Sequence, residues 1–436
     1  MKTHYPVIVV GGGQAGLSIS YCLKERGIEH LVFEKEKIAH SWQTKRWDSF
    51  CLVTPNWQCK LPGYEYSGSD PQGFMPKDEI LRYIEAYAAS FDPPVLEGVE
   101  VISVRKKQTS FGLITSIGEY TADQVVIASG SYHKPKIPKV ADRLPESILQ
   151  IHSSAYKNPQ SLPAGRVLVV GTGQSGCQIA EDLHLAGRQV HLCVGGAPRS
   201  PRVYRGKDVV EWLDQMRYYD LPISEHPQKE KVRTNANHYV TGRDGGREID
   251  LRKFALEGMQ LHGRLKDIQG GKLEFWDDLK QNLDYADAVS EGIKKTVDGF
   301  IERNQIQAPT EPAYQPVWQP PQTSQPLDYQ SISTVIWSTG FQSDFSWVEV
   351  PVFDGKGYPG HERGVTGIKG LYFLGLPWLY TWGSARFSGI ARDANYLAEE
   401  IWSSLRTSAF ALYSPTVEEI CPWLLNTGLV TTDLSI

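Results

Sequence analysis

The chain has 436 residues, a net charge of −5, 22% charged and 41% hydrophobic residues, which suits a globular protein longer than one core usually supports, so two domains are expected. No basic stripe speaks for nucleic acid, no apolar run reaches the length of a membrane span, and strand-like sequence begins at Val7 with no room for a signal peptide. A cytoplasmic protein without nucleic-acid or membrane partners is therefore expected, and the six cysteines, Cys22, Cys51, Cys59, Cys177, Cys193 and Cys421, lack the spacing of a redox disulfide or a metal site.

In chain order, Val7-Ile-Val-Val10 reads as a buried parallel strand. It runs into Gly11-Gly-Gly13-Gln14-Ala15-Gly16 and then a helix from Leu17 to Arg26. Strand, glycine turn and helix together make a phosphate cradle: the first glycine turns the chain, the second lets the backbone approach a pyrophosphate, and the third lets helix pack on strand. The next strand, His30-Leu-Val-Phe33, ends at Glu34 and Lys35. An acid there accepts both ribose hydroxyls, which suits FAD or NAD and repels a 2′-phosphate. Gln124-Val-Val-Ile-Ala128-Ser129-Gly130 is a further buried strand, followed by Ser131 to Pro138, a proline-stiffened crossing between domains.

The cradle then recurs. Val167-Leu-Val-Val170 precedes Gly171-Thr-Gly173-Gln174-Ser175-Gly176 and a helix from Cys177 to Ala186, so two dinucleotides are implied. The strand from Gln189 to Val194 meets Gly195-Gly196 rather than an acid, and Arg199, Arg202 and Arg205 follow. Guanidinium groups pair a phosphate through parallel donors, so these arginines are the candidate readers of an NADPH 2′-phosphate, with a solvated basic loop as the alternative. The stretch from Thr241 to Arg252 reads as a charged turn entering a short helix. Lys280 to Arg303 reads as an amphipathic helix, and Ala308 to Pro326 as an extended strap or linker whose Tyr314 and Trp318 pack on the body or on a second copy, leaving a homodimer open. Finally Thr334-Val-Ile-Trp-Ser338-Thr339-Gly340 mirrors the Gln124 to Gly130 strand, and the two strand ends bracket an inserted domain.

With these parts in place the chain resembles the class B flavoprotein monooxygenases, which include flavin-containing monooxygenases, plant indole-pyruvate monooxygenases and Baeyer–Villiger enzymes. The likeness rests on both glycine motifs, the Ala128 to Pro138 linker, Ser41-Trp42 with Arg46-Trp47-Asp48, Ser338 to Phe341, and Gly370 to Pro377. It implies an α/β fold of two Rossmann-like dinucleotide-binding domains, the NADPH domain inserted into the FAD domain. The expected divisions are residues 1–145 for the first part of the FAD domain, 146–330 for the NADPH domain with its strap at 305–330, and 331–436 for the rest. By the resemblance, Ser41, Trp42 and Gly375 join the cofactor contacts, and Arg46, Thr54 and Asn56 are catalytic candidates. Trp47, Trp378, Tyr380, Trp382 and Arg386 are further chamber walls, each with plain packing as the alternative. Two departures stand out: His152 and Tyr156 complete half of a family signature whose other half is replaced by Glu146 and Ile148, and Val53 stands where an asparagine is common. The implied chemistry is reduction of FAD by NADPH, formation of a flavin hydroperoxide with dioxygen, and oxygenation of a small organic nucleophile or 2-oxo acid. A flavin reductase or oxidase releasing hydrogen peroxide, and a non-catalytic FAD-binding redox sensor, are the alternatives.

Overall fold

In the computed structural model, which describes residues 2–412, a mixed sheet with a parallel core and a second, all-parallel sheet organise the chain. The first is nucleated by β1 (His4–Val10), α1 (Gln14–Glu25) and β2 (His30–Phe33). Val7, Ile8 and Val9 have no exposed surface, as expected of a strand covered on both faces. After α2 (Lys77–Phe91) come β3 (Val95–Leu96), β4 (Val101–Lys106), β5 (Phe111–Thr115) and β6 (Gly118–Ile127). The far end of β6 lies parallel to β1, while its first half pairs antiparallel with β5.

The second sheet holds β7 (Leu149–His152), β8 (Arg166–Val170), β9 (Val190–Cys193), β10 (Gln260–His262) and β11 (Ile332–Trp337) in the order β7-β11-β8-β9-β10, all parallel. Helix α3 (Gln174–Leu185) links β8 to β9. In the first sheet β12 (Leu371–Phe373) closes the parallel set β12-β6-β1-β2-β3. The two sets match in order and register. Val7–Val10 face Gln124–Ile127 on one side and His30–Phe33 on the other, as Val167–Val170 face Thr334–Trp337 and Val190–Cys193.

One expected boundary moves. The chain was expected to return to the first unit at residue 331, yet β11 is hydrogen-bonded between β7 and β8 in the second sheet. A buried apolar run announces a strand but not the sheet that receives it. The return comes after Gly340, where Phe341–Gln342 pairs antiparallel with the outgoing Lys134–Pro135, so the two crossings form one short ribbon. Lys134 and Asp344 close it at 2.5 Å, and the backbone N–H of Lys136 donates to the Gly340 carbonyl at 3.0 Å.

Helix α4 (Leu279–Arg303) covers the expected amphipathic stretch, burying Leu283, Ala286 and Val297. The strap beyond it lies on the body: Tyr314 donates to Asp250 at 2.9 Å, and the Trp318 carbonyl accepts from Arg252 at 2.8 Å. Helix α5 (Ile390–Leu412) packs Ile390, Ala394, Leu397, Ala398 and Ile401 into the same core as Leu17, Ile19 and Leu23 of α1, a spacing that lines one helical face. No helix among the described residues is long and apolar enough to cross a membrane. Cys421 lies outside the described residues.

Candidate functional site

The two glycine turns are built alike at their first and third glycines. Gly11 has φ 109° and a Cβ there would meet the Ala128 carbonyl at 2.7 Å; Gly171 has φ 106° and would meet the Ser338 carbonyl at 2.7 Å. A Cβ on Gly16 or Gly176 would fall 1.7 or 1.9 Å from the carbonyl of Gly11 or Gly171, so helix and turn touch only because both third glycines lack side chains. The middle glycines differ: a Cβ on Gly13 or Gly173 meets nothing within 4 Å. Each therefore opens on free space at the start of a helix that has no side-chain N-cap bond, where unpaired N–H groups favour an anion. Two buried polar atoms beside these turns, Gln14 Oε1 and Ser338 Oγ, also lack a partner among the described residues. These features fit nucleotide pyrophosphates.

Past the turns the beds diverge. Glu34, at the end of β2, accepts from Gly12 N–H at 2.6 Å and from Glu36 N–H at 2.9 Å. In the second bed Thr172 and Val194 hold the positions of Gly12 and Glu34, and the Gly195 N–H donates to Thr172 Oγ1 at 2.9 Å instead. Lys35 turns away to Glu100 at 2.7 Å. Gln14 donates to the Ala385 carbonyl at 2.8 Å, and a Cβ on Gly375 would meet Ala15 at 2.7 Å, so α1 begins against both C-terminal turns. Ser41 and Ser175 are exposed, and Gln174 is half-buried. Ser129 lies 3.5 Å from His133, and Thr339 bonds the Lys136 carbonyl within the ribbon.

The three arginines expected to read a 2′-phosphate are otherwise engaged. Arg199, 1% exposed, meets Asp287 at 2.9 Å and Glu248 at 3.1 Å and stacks on Tyr314 at 4.1 Å. Arg202 pairs with Asp208 at 2.7 Å and donates to the Val53 carbonyl at 2.8 Å; Arg205 pairs with Asp298 at 2.8 Å. Each is thus held by a carboxylate of the protein, Arg199 and Arg202 in the interior and Arg205 nearer the surface, so none stands free as the expectation had it. Asn56 is also corrected as a catalytic candidate. It is 3% exposed, and both ends of its amide are taken, by the Asp70 carbonyl at 2.9 Å and the Met75 N–H at 2.7 Å, clasping the loop between them. Thr54 is half-buried, and its hydroxyl makes no side-chain hydrogen bond among the described residues.

The motif for pyridine nucleotide-disulphide oxidoreductases matches residues 8–260. The chain belongs to that family. It is 36% identical over 398 residues to an uncharacterised CzcO-like oxidoreductase of Geobacillus kaustophilus, covering 91% of this chain and 97% of the relative. Indole-3-pyruvate monooxygenase YUCCA6 of Arabidopsis thaliana is 33% identical over 200 residues, 44% of this chain and 48% of the relative. A flavin-containing monooxygenase from Stenotrophomonas maltophilia shares the fold with a TM-score of 0.65 at 18% identity, over 93% of this chain and 100% of the other. The chain is thus an oxidoreductase, and its resemblance to the flavin monooxygenases, drawn from the motifs, holds.

Aromatic rings join the N-terminal loop and the segment before α5. Trp42 stacks on Phe387 with centroids 5.6 Å apart, joining the N-terminal loop to the segment before α5; Tyr219 leans on Trp382 at 4.7 Å. Arg46 lies over Trp42 at 5.1 Å, and Arg386 over Trp382 at 4.1 Å. Other expected walls pack elsewhere: Trp47 is 4% exposed within the second core, Trp378 is buried against His226, and Tyr380 stacks under Arg363 at 3.8 Å. Asp182 on α3 is a junction that sequence reading missed. It accepts from Ser49 and Arg243 at 2.6 Å each and from Tyr156 at 2.6 Å. His152 meanwhile meets the Gly340 carbonyl at 2.9 Å, so the retained half of the incomplete signature ties the second sheet to the ribbon and the N-terminal loop.

Proposed function

We propose that this chain is an FAD-containing, NADPH-dependent monooxygenase that oxygenates a small organic nucleophile or 2-oxo acid. The observation that carries the reading is the duplicated cradle, with Gly13 and Gly173 each opening on free space at a helix start. FAD, when bound, supplies the electron and oxygen chemistry. The Gly11 to Gly16 turn and the start of α1 hold its pyrophosphate, and Glu34 takes the adenosine ribose hydroxyls in place of its bond to Gly12. The Gly171 to Gly176 turn and α3 do the same for the pyrophosphate of NADPH. Overall, NADPH, a proton, dioxygen and substrate give NADP⁺, water and oxygenated substrate. The chain's own task is to orient the reactants and exclude water, for which Trp42, Phe387, Trp382 and Tyr219 form an apolar frame. Thr54 is the remaining hydroxyl candidate for contact with the reacting atoms.

NADPH oxidation in air, with hydrogen peroxide quantified beside it, tests the reading. A substrate of the right class should lower the peroxide released per NADPH and yield an equal amount of oxygenated product. Peroxide matching NADPH consumption across the whole substrate panel would favour a reductase or oxidase, and consumption at background throughout would favour a redox sensor.

A further inference from the structure

Between β9 and β10 the second unit sends out an arm, residues 217–238, that lies against the first unit. Pro222 bridges antiparallel to Thr381, the Ile223 N–H donates to the Tyr380 carbonyl at 2.7 Å, and Asn237 Oδ1 accepts from Arg386 at 2.9 Å. Tyr219 and His226 meet Trp382 and Trp378 of the same turn ring to ring, at 4.7 and 5.1 Å. That turn borders the first bed, because its Ala385 carbonyl accepts from Gln14 at the start of α1. The turn is packed solidly, with Trp378, Leu379, Thr381 and Ser384 all buried. The arm is not: Val232 is its one buried residue. A segment with so little buried surface stands at the low end of local stability, so it is the part of this contact able to move.

Among the described residues, Arg392 makes the one ion pair between this arm and the first unit. Set in the first turn of α5, it pairs with Asp220 and donates to the Tyr219 carbonyl at 3.3 Å. Burial acts to raise the Asp220 pKa, yet the Arg392 and Arg217 guanidiniums bring it below the ordinary carboxylate value. The side chains of Arg392 and Asp220 are 40% and 43% exposed, where water and salt leave an ion pair weak enough to break and remake. We propose that the arm is a movable cover at the mouth of the first bed and that Arg392 is a positioning residue that holds it shut. This rests on the functional reading above for what is covered, FAD. A site that must admit a substrate and then exclude water needs a part that moves, and a thinly buried arm fastened by an exposed pair meets that need.

Hydrogen–deuterium exchange of the purified holoprotein reads the cover without relying on turnover. Arg392→Glu sets two carboxylates against each other; exchange at Ile223 and across residues 380–386 should quicken at least about fivefold, while Val7–Val10 and Val167–Val170 stay within about twofold. Asp220→Arg should act likewise, and the doubly exchanged protein, Arg392→Glu with Asp220→Arg, should return to within about twofold of wild type. Iodide quenching of the flavin fluorescence should rise and fall in step with these rates. In unmodified protein, raising salt from about 0.05 M to about 0.5 M should also quicken Ile223 exchange, which keeps the test intact should a variant fold poorly. Ile223 exchange unchanged both in Arg392→Glu and in high salt overturns the role of Arg392. Faster Ile223 exchange with residues 380–386 and iodide access unchanged overturns the cover. A protein without flavin counts against the FAD reading alone, and the exchange rates then decide the cover by themselves.

Discussion

Arg199→Met separates a structural arginine from a cofactor-reading one. Burial lowers the Arg199 pKa, and Glu248, Asp287 and Asp250 together more than restore it, so the cation is held by three acids. Its substitution leaves Glu248, whose carboxyl burial already pushes up, without the partner at 3.1 Å. Asp287 keeps Arg252 at 2.9 Å, which softens the loss. Breaking a buried pair costs about 3–5 kcal/mol, and the retained Arg252 contact places this case near 3 kcal/mol. For a unit of roughly 150–250 residues that lowers its Tm by about 6–12 °C. Scanning calorimetry should show the shift in the transition of the second unit, while the ratio of kcat/KM for NADPH to that for NADH stays within about twofold, below about 0.4 kcal/mol. A Tm shift under about 2 °C, combined with a tenfold selective rise in the NADPH KM, a loss of about 1.4 kcal/mol, would refute the reasoning and restore Arg199 as a phosphate reader.

The beds can also be addressed one at a time. Gly13→Val should fold, because φ is −76° and no protein atom lies within 4 Å of the new Cβ, yet emerge without FAD absorbance; a yellow Gly13→Val protein would mean the first bed is misassigned. Gly173→Val should stay yellow and lose anaerobic bleaching by NADPH, and retained bleaching would misplace the reductant. Acid should weaken the fold through His191 and His262. Their rings stack 2.9 Å apart between nitrogens at the β9–β10 pair, and burial holds each pKa at about 4, with Arg166 adding to it for His191 and His191 for His262. Since the folded value lies below the unfolded 6.5, their contribution is complete above about pH 6.5 and is lost as pH falls towards 4, at up to about 1.4 kcal/mol per pH unit for each group. Urea midpoints from pH 7.5 to 4.5 should fall accordingly, and a His191→Gln variant should flatten the slope; a wild-type midpoint independent of pH would remove the pair as a cause.

The frame was legible because its signals are local. Val7–Val10 and Val167–Val170 announce strands by composition, and the glycines after them need only their own turn to be understood. The place of Glu34 was legible for the same reason, one residue beyond a short buried strand. What failed depended on partners distant in sequence. Arg199, Arg202 and Arg205 looked free because Asp287, Asp208 and Asp298 reach them across the fold, and only Asp208 is near in the chain. Asn56 looked reactive because the carbonyl and N–H that occupy it come from the far side of its own loop. The β11 boundary was missed because apolar periodicity says that a strand is buried, not beside which neighbour.

The side-by-side crossings have a mechanical result. A unit joined by one strand can spin about that strand; one joined by two adjacent strands cannot, since any twist would shear the pairing of Phe341 with Pro135 and of Gln342 with Lys134. Relative movement of the halves is thereby confined to flexing across the ribbon, which opens or narrows the gap between them.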